Sequence, residues 1–166
     1  WGDKEVELRL SSLPVAFGEK LVIRVFEPHH LLQDLAELGF APAELALYDR
    51  WLRAPHGIIL VCGPTGSGKT TTLYSSLKEL ATPDVNIMTI EDPIEMVVAL
   101  FNQTAVQPKA GITFGSALRT LLRQDPDIIM VGEIRDADTA EHAIPEPGSL
   151  ALAALGLTGF MLRRRR

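Results

Sequence analysis

The chain has 166 residues, 46% of them hydrophobic, which is enough apolar content for one globular α/β domain with a sizeable core. Its net charge is −5, and without the terminal arginines at 163–166 the other 12 basic residues face 21 acidic ones. This acidic body argues against broad nucleic-acid binding, and a single cysteine excludes a disulfide framework and a cysteine zinc site. The chain begins with Trp1 rather than methionine, which suggests a fragment or a truncated gene.

Two β-strands are predicted near the amino terminus. Residues 5–10 alternate polar and apolar, residues 20–26 do so more loosely, and the turn-rich residues 11–19 lie between them. We interpret the pair as the edge of a sheet whose remaining strands are missing. Arg9 and Arg24 occupy similar places on the two strands, and the pattern alone favours two solvated arginines.

A linker and a helix come next. Residues 28–38 pass into a weakly helical stretch, and Pro42 opens an amphipathic helix over residues 43–53. Residues 58–62 are then a short apolar, β-branched run, which predicts a buried strand.

A glycine-rich stretch follows that strand. Gly63 to Thr70 fits G-x-x-x-x-G-K-[ST] at every fixed position, and an amphipathic helix is predicted over residues 71–80. A loop of this kind between a strand and a helix turns backbone N–H groups inward and makes an anion-binding nest. Lys69 would then reach the β- and γ-phosphates of a nucleoside triphosphate, and the hydroxyl of Thr70 would bind Mg²⁺. The predicted nucleotide-binding residues are Gly63, Pro64, Thr65, Gly66, Ser67, Gly68, Lys69, Thr70 and Thr71.

Two further apolar strands end in acidic residues. Residues 86–90 run into Glu91, and residues 128–131 lead through a glycine to Glu133. Ligands of open α/β sheets bind at the carboxyl ends of strands, although a solvated acidic turn would explain Glu91 equally well. A carboxylate beside a phosphate loop can hold a metal through water or orient an attacking water. The usual residue at the second position is Asp, whereas this chain has Glu133.

The segments between these strands have their own patterns. Residues 101–106 predict a short strand. Residues 113–124 predict a helix that Thr113 caps at its amino end and whose leucines form the buried face.

Three stretches, in this order and spacing, resemble the boxes of the secretion-superfamily ATPases that drive type II secretion and type IV pilus assembly. They are residues 63–70, 89–95 and 121–136. The resemblance covers roughly residues 5–144 and implies an α/β fold, an incomplete RecA-like P-loop NTPase core preceded by a remnant of a smaller α+β domain. It also implies ATP and Mg²⁺ as ligands, a cytoplasmic homo-hexamer associated with the inner membrane, and secretion or pilus platform proteins as partners. No nucleic-acid partner is expected.

The resemblance also assigns roles to individual residues. It puts Lys69 and Thr70 on the phosphates and Mg²⁺, Glu91 near the metal, and Glu133 in the place of the catalytic base. The surroundings of Arg9 and Arg24 resemble a family segment whose arginines reach the nucleotide from the preceding domain. Guanidinium groups there can stabilise charge on the transferring phosphoryl group.

The resemblance to these ATPases stops near residue 144. Thr158-Gly159-Phe160 is similar to the start of a later box, but Phe160 stands where the family has a histidine, and the sheet's remaining strands are expected to be absent. Residues 145–166 instead resemble a PEP-CTERM sorting signal, with a Pro-Glu-Pro motif, an apolar helix over residues 149–162 and four arginines. The run is short for an independent membrane span, and the basic end would favour a cytoplasmic terminus. A buried core helix with a basic tail is the alternative.

These observations predict four segments and one function, with two alternatives. The segments are residues 1–28 (strands of a preceding domain), 29–57 (linker and helix), 58–144 (partial ATPase core) and 145–166 (hydrophobic tail that contacts a membrane). The predicted function is that of a truncated ATP-binding and ATP-hydrolysing motor domain. The missing histidines leave open an ATP-binding module with little or no hydrolysis. The tail leaves open an exported, membrane-tethered protein with a vestigial ATPase segment.

Overall fold

A β-hairpin and a five-stranded sheet with helices on both faces make up the fold. The computed structural model describes residues 6–26, 31–134, 136–143 and 158–163. The α/β class predicted from the sequence is confirmed.

The hairpin consists of β1 (Glu7–Val15) and β2 (Gly18–Phe26), paired antiparallel. The prediction of a long connection over residues 11–19 is wrong, because the strands continue through it and only two residues form the turn. Gly18 adopts a φ of 130° at that turn, a conformation that favours glycine. The serines and the proline that suggested a loop are tolerated here, since an isolated pair of strands exposes its edges.

The elements predicted between residues 43 and 131 agree with the structure to within a few residues, whereas the helix over Ala137–Ala143 had no predicted counterpart. α3 ends at Leu121 rather than near Gln124, and Thr113 caps it by accepting a hydrogen bond from the backbone N–H of Ser116 at 3.2 Å. In chain order the elements are α1 (Pro42–Leu52), β3 (Gly57–Cys62), α2 (Lys69–Leu80), β4 (Ile87–Glu91), β5 (Phe101–Ala105), α3 (Phe114–Leu121), β6 (Ile128–Ile134), α4 (Ala137–Ala143) and β7 (Thr158–Arg163). Short 3₁₀ turns lie at Leu35–Leu38 and Pro108–Ala110.

The strand order of the sheet is β3-β7-β6-β4-β5. β4 is parallel to β5 and to β6, whereas β7 is antiparallel to both of its neighbours, β3 and β6. The strands β3, β6, β4 and β5 therefore all run in the same direction. Their carboxyl ends meet at one edge of the sheet, which is where open α/β sheets place their ligands.

Each face of the sheet carries its own apolar cluster, as strand periodicity requires. Along β6, Ile128 and Met130 face the cluster that α1 and α2 complete, while Ile129 and Val131 face the cluster of α3 and α4. Full burial of one such side chain contributes about 1.5–3 kcal/mol. The two clusters fix the sheet between its helical layers, and hence fix the ends of the strands.

Strand β3 is less buried than its apolar sequence predicted. It lies at one edge of the sheet, where Leu60 is 60% exposed and Cys62 is exposed. Position in the sheet, which the local sequence does not encode, decides this outcome.

Strand β7 corrects two expectations about the carboxyl-terminal part. The sheet was expected to lack its remaining strands, yet β7 fills a place inside it, between β3 and β6. An apolar helix was expected over residues 149–162, and the described part of that range begins at Thr158 as a strand. The extended backbone of β7 forms hydrogen bonds with both neighbours. Without β7, the facing N–H and C=O groups of β3 and β6 would be unpaired. Residues 145–157, including the Pro-Glu-Pro motif, lie outside the described residues.

Candidate functional site

The phosphate loop lies between the carboxyl end of β3 and the amino end of α2. Gly66 and Gly68 adopt φ values of 78° and 89°, in the left-handed region that lets the chain reverse tightly. Gly63 is closely packed for a different reason, because a Cβ there would lie 2.6 Å from Oγ of Ser67. The glycine spacing of the motif thus corresponds to distinct backbone requirements of the loop.

Lys69, the first residue of α2, folds back over this loop. Its Nζ donates hydrogen bonds to the carbonyl oxygens of Gly63 and Pro64, at 2.9 and 2.8 Å. The ammonium is therefore held above the loop without burial of its charge. A phosphate oxygen would be a stronger, charge-assisted acceptor for the same donor.

The amino end of α2 has the features of an anion site. Gly68 precedes the helix and provides no side-chain cap. Thr70 is exposed and Thr71 is half-buried on the first turn. Uncapped N–H groups at a helix start carry a partial positive charge, which favours phosphate. Pro64, Thr65 and Ser67 complete the loop and are exposed.

Glu91, the last residue of β4, is 3% exposed and accepts hydrogen bonds on both carboxylate oxygens. The hydroxyl of Tyr74 donates to Oε2 at 2.5 Å, and the hydroxyl of Thr89 donates to Oε1 at 2.6 Å. The amide of Gln103 on β5 donates to Oε1 at 3.1 Å. The prediction of a solvated acidic turn is therefore wrong for Glu91, whose charge is buried among three donors.

The pKa of Tyr74 responds to this environment. Burial raises it well above the ordinary value for a phenol, and the hydrogen bond to Glu91 raises it further. Tyr74 is fully buried on α2 and stays protonated, so it remains a donor to the carboxylate.

Glu133 lies next to the end of β6, at an irregularity in the strand pairing. Val131 pairs with Phe160 and Ile134 pairs with Thr158, so β6 has one more residue than β7 in this interval. Bulges of this kind reorient a side chain and occur often beside active sites. Glu133 itself is half-buried.

Gly132, at the same bulge, brings β6 and β4 close together. A Cβ at this position would lie 3.2 Å from the carbonyl oxygen of Ile90 and 3.5 Å from Cα of Glu91. The glycine thus lets the strands that carry Glu91 and Glu133 approach each other at their carboxyl ends.

The pairing register also relates Glu133 to the phosphate loop. Cys62 on β3 and Ile134 on β6 both pair with Thr158 of β7. Cys62, just before the loop, and Ile134, just after Glu133, therefore lie at the same level of the sheet, two strand spacings or roughly 10 Å apart.

Arg9 and Arg24 pair directly with each other across the hairpin and lie on one face of it. Nη2 of Arg9 donates to Oε2 of Glu95, in the loop after β4, at 2.9 Å. The hairpin is thus joined to the acidic segment that begins at Glu91, whereas Arg24 is exposed. The prediction of two solvated arginines is wrong for Arg9.

Several residues of this site were not predicted from the sequence. Tyr74 belongs to a helix pattern, Thr89 to an apolar strand and Gln103 to a short strand, and these patterns do not mark them as partners of Glu91. The spacing of four between Thr70 and Tyr74, which puts both on one helix face, was the available hint.

A separate cavity of about 360 Å³ lies at the opposite end of β3 from the phosphate loop. It is lined by the end of α1 and the start of β3, including Trp51, His56 and Ile58. It has no contact with the acidic strand ends.

Among the described residues there is no helix of the length and apolarity that a membrane crossing would need.

Comparison with protein families gives two matches. The profile described as "Type II/IV secretion system protein" matches residues 1–154, and the profile described as "PEP-CTERM protein-sorting motif" matches residues 143–166.

Curated relatives agree with the first match. The chain is 58% identical over 154 residues to the type IV pilus assembly ATPase TfpB of Acinetobacter baylyi, covering 92% of this chain and 26% of the relative. It is 48% identical over 154 residues to the type II secretion system protein E of Xanthomonas campestris, covering 92% and 27%. The chain therefore spans about a quarter of the length of these relatives.

Solved structures have the same fold. The ATPase DotB of Legionella pneumophila aligns with a TM-score of 0.63 at 26% identity, over 84% of this chain and 39% of that one. The pilus retraction motor PilT, solved with bound ADP, aligns with a TM-score of 0.58 at 32% identity, over 82% and 43%.

Proposed function

The chain belongs to the type II/IV secretion system protein family, and from this premise we propose that it binds Mg-ATP at the phosphate loop and hydrolyses it as a segment of a secretion or pilus motor. The observation that carries the proposal is the conformation of the loop. Its side-chain cation, Lys69, is held above two loop carbonyls by hydrogen bonds of 2.8 and 2.9 Å, where a triphosphate can replace them.

Each site residue has a role that follows from its place. Lys69 and the N–H groups of residues 66–71 bind the phosphates, and Thr70 with Glu91 holds Mg²⁺, either directly or through water. The metal would neutralise charge on the phosphates. A site with one hydroxyl and one carboxylate suits Mg²⁺, which keeps several waters and uses phosphate oxygens as further ligands.

Glu133 is the proposed general base. It lies on a bulge next to Ile134, which is level with the end of β3 and about two strand spacings from it, and this leaves room for a phosphate and a water between Glu133 and the loop. Arg9 and Arg24 are the proposed stabilisers of charge on the transferring group. For Arg9 the carboxylate of Glu95 competes with a phosphate for the Nη2 donor.

The organisation of the longer protein is part of the proposal. The hairpin belongs to a smaller preceding domain, residues 29–57 connect it to the ATPase core, and the motor is a cytoplasmic homo-hexamer that works on inner-membrane platform proteins. The apolar face of the hairpin supports the first point, because Leu8, Leu10, Ile23 and Val25 are each more than half exposed there.

The experiment is a calorimetric titration with Mg-ATP. Lys69→Ala should weaken binding at least about tenfold, equivalent to 1.4 kcal/mol, because the loop loses its side-chain cation. Lys78→Ala is the matched control, since it removes the same charge from the same helix about 14 Å away. Equal affinities of the parent and Lys69→Ala would exclude the loop as the site.

Binding without appreciable hydrolysis is the second candidate function. It is favoured by the engagement of Arg9 with Glu95 and of Glu91 with three donors. Turnover measured at saturating Mg-ATP distinguishes the two candidates.

A membrane-tethered protein is the third candidate, and the match to the sorting motif over residues 143–166 favours it. In that case the full chain partitions with membranes and a version ending at Ile144 does not. Fractionation of cells expressing each version checks this, and recovery of both in the soluble fraction would contradict it.

A further inference from the structure

Two polar residues of helix α2 bear on the proposed metal site. Thr70 lies on its first turn, and Tyr74 lies four residues later on the same face. The Tyr74 side chain is fully buried and its hydroxyl reaches Oε2 of Glu91 at 2.5 Å. The phosphate-loop helix and the acidic end of β4 are thus joined by one buried hydrogen bond.

The other oxygen of Glu91 is held from the sheet. Thr89, two residues earlier on β4, donates at 2.6 Å, and Gln103 on β5 donates at 3.1 Å. With donors on both oxygens the carboxylate plane has little freedom to rotate. A buried carboxylate that loses one of these donors would turn toward another, because an unsatisfied charge in the interior is costly.

Gln103 extends the same network into the loop after β4. Its Nε2 donates to the carbonyl oxygen of Met96 at 2.9 Å, and its Oε1 accepts from the N–H of Val98 at 2.8 Å. The position of Glu91 is therefore fixed together with the loop that carries Glu95.

We propose that Tyr74 is a positioning residue that holds the carboxylate of Glu91 in a fixed relation to Thr70, so that the two can share one metal ion. The inference rests on the proposed function, since it concerns the metal of Mg-ATP. Thr70 sets one side of this metal site and Glu91 the other. Among the described side chains, that of Tyr74 lies on the same helix as Thr70 and contacts Glu91.

The chain offers a matched control for this inference. Tyr48 is also buried, and its hydroxyl is hydrogen-bonded to Ser76 of the same helix at 2.8 Å. Tyr48→Phe removes the bond to Ser76, and Tyr74→Phe removes the bond to Glu91 together with longer bonds to the carbonyl oxygen of Met96 at 3.2 Å and from the amide of Gln103 at 3.1 Å. Each variant should therefore lower the free energy of unfolding. Only the second variant loses a bond to Glu91.

The test titrates Mg²⁺ into the 166-residue chain with mant-ATP and follows fluorescence. The half-saturating Mg²⁺ concentration should rise roughly fivefold in Tyr74→Phe, the equivalent of one lost hydrogen bond of about 1 kcal/mol, and stay unchanged in Tyr48→Phe. Binding of mant-ATP in EDTA should be the same in both. In a Glu91→Gln background, Tyr74→Phe should add nothing, because the two residues act as one unit.

The outcomes distinguish failure of the positioning role from failure of the proposed function. Lys69-dependent binding with the same Mg²⁺ dependence in Tyr74→Phe and Tyr48→Phe would overturn the positioning role alone. Absence of Lys69-dependent binding in the parent would overturn the proposed function and this inference with it. If Tyr74→Phe fails to fold, Thr89→Val removes the 2.6 Å donor to the same carboxylate. It should raise the Mg²⁺ requirement in the same direction, and an unchanged requirement would count against the proposal.

Discussion

Arg9 and Glu95, 86 positions apart in the chain, form a hydrogen-bonded ion pair of 2.9 Å that joins the hairpin to the loop after β4. The side chains are 36% and 31% exposed, so the pair is screened by solvent and contributes less than about 1 kcal/mol. Because the pair is this weak, Arg9 can exchange Glu95 for a stronger acceptor. The ion pair therefore holds Arg9 only weakly beside the acidic segment.

Release of Arg9 gives the first prediction. Glu95→Gln removes the competing charge, so the proposed contact of Arg9 with the nucleotide should form at lower cost. We expect Mg-ATP to bind roughly threefold more tightly, corresponding to a surface ion pair of about 0.7 kcal/mol. Asp49→Asn is the control, because it breaks a comparable exposed pair with Arg53. Weaker binding in Glu95→Gln would mean that Glu95 itself supports the nucleotide.

The second prediction concerns Glu133. Glu133→Gln should leave the affinity for Mg-ATP unchanged and reduce turnover by about 10²-fold or more, the usual contribution of a general base. Turnover of this chain alone should already be very slow, because electrostatic catalysis needs a preorganised, water-poor site. Steady-state phosphate release measures both effects. Turnover equal to that of a full-length relative and abolished by Glu133→Gln would contradict the expectation of slow hydrolysis.

The third prediction concerns the close approach at Gly132. Gly132→Ala places a methyl group 3.2 Å from the carbonyl oxygen of Ile90, a backbone atom that can move only with its strand. We expect a loss of about 1–3 kcal/mol in the free energy of unfolding, as for other overpacking substitutions. Urea denaturation measures it.

Gly63→Ala provides the contrast. Its new methyl group meets the hydroxyl of Ser67, which can rotate away, so its cost should be smaller. A larger loss of unfolding free energy in Gly63→Ala than in Gly132→Ala would mean that Ser67, and not the backbone of Ile90, is the neighbour that cannot move.

The fourth prediction is a loss of stability at alkaline pH. Burial raises the pKa of Tyr74 and of Tyr48 above the unfolded value of 10.0. The unfolded chain releases these protons as the pH passes 10 while the native protein keeps them, so this part of the stability is complete below pH 10 and falls above it. Each phenol contributes a fall of at most about 1.4 kcal/mol per pH unit.

The measurement compares urea unfolding at pH 9 and pH 11. Tyr74→Phe should lose about 1 kcal/mol less than the parent over this interval, because one titrating phenol is gone. The chain has two tyrosines, so the double variant with Tyr48→Phe measures the pH dependence that remains without either phenol. An identical pH dependence in the parent and Tyr74→Phe would show that the native phenol ionises as freely as the unfolded one.

The features that were predictable from the sequence are those that depend on neighbouring residues. The tight loop from Gly63 to Thr70 follows from the spacing of its glycines, and the strand and helix beside it follow from local periodicity. The α/β fold is confirmed for the same reason, since alternating strand and helix patterns are local. The roles of the site residues remain predictions.

The features that were missed depend on tertiary position. Burial of Glu91 could not be predicted, because Tyr74 and Gln103 reach it from other elements. The exposure of β3 follows from its place at the edge of the sheet, and the hairpin runs longer than its composition suggested because an isolated pair tolerates serine and proline. Division of the chain into four segments stays a prediction.

The insertion of β7 between β3 and β6 has a consequence for the fate of the carboxyl terminus. Residues 158–163 complete a ladder with Gly57–Cys62 on one side and pair with β6 on the other, so removing them splits the sheet between the phosphate loop and Glu133. A sorting apparatus that recognises residues 143–166 as a free tail needs the same residues unpaired. If the match to the sorting motif reflects sorting of this chain, folding and sorting compete for one segment. In that case a chain that folds first has residues 158–163 paired within the sheet, and a chain that is sorted first leaves β3 and β6 without the strand between them.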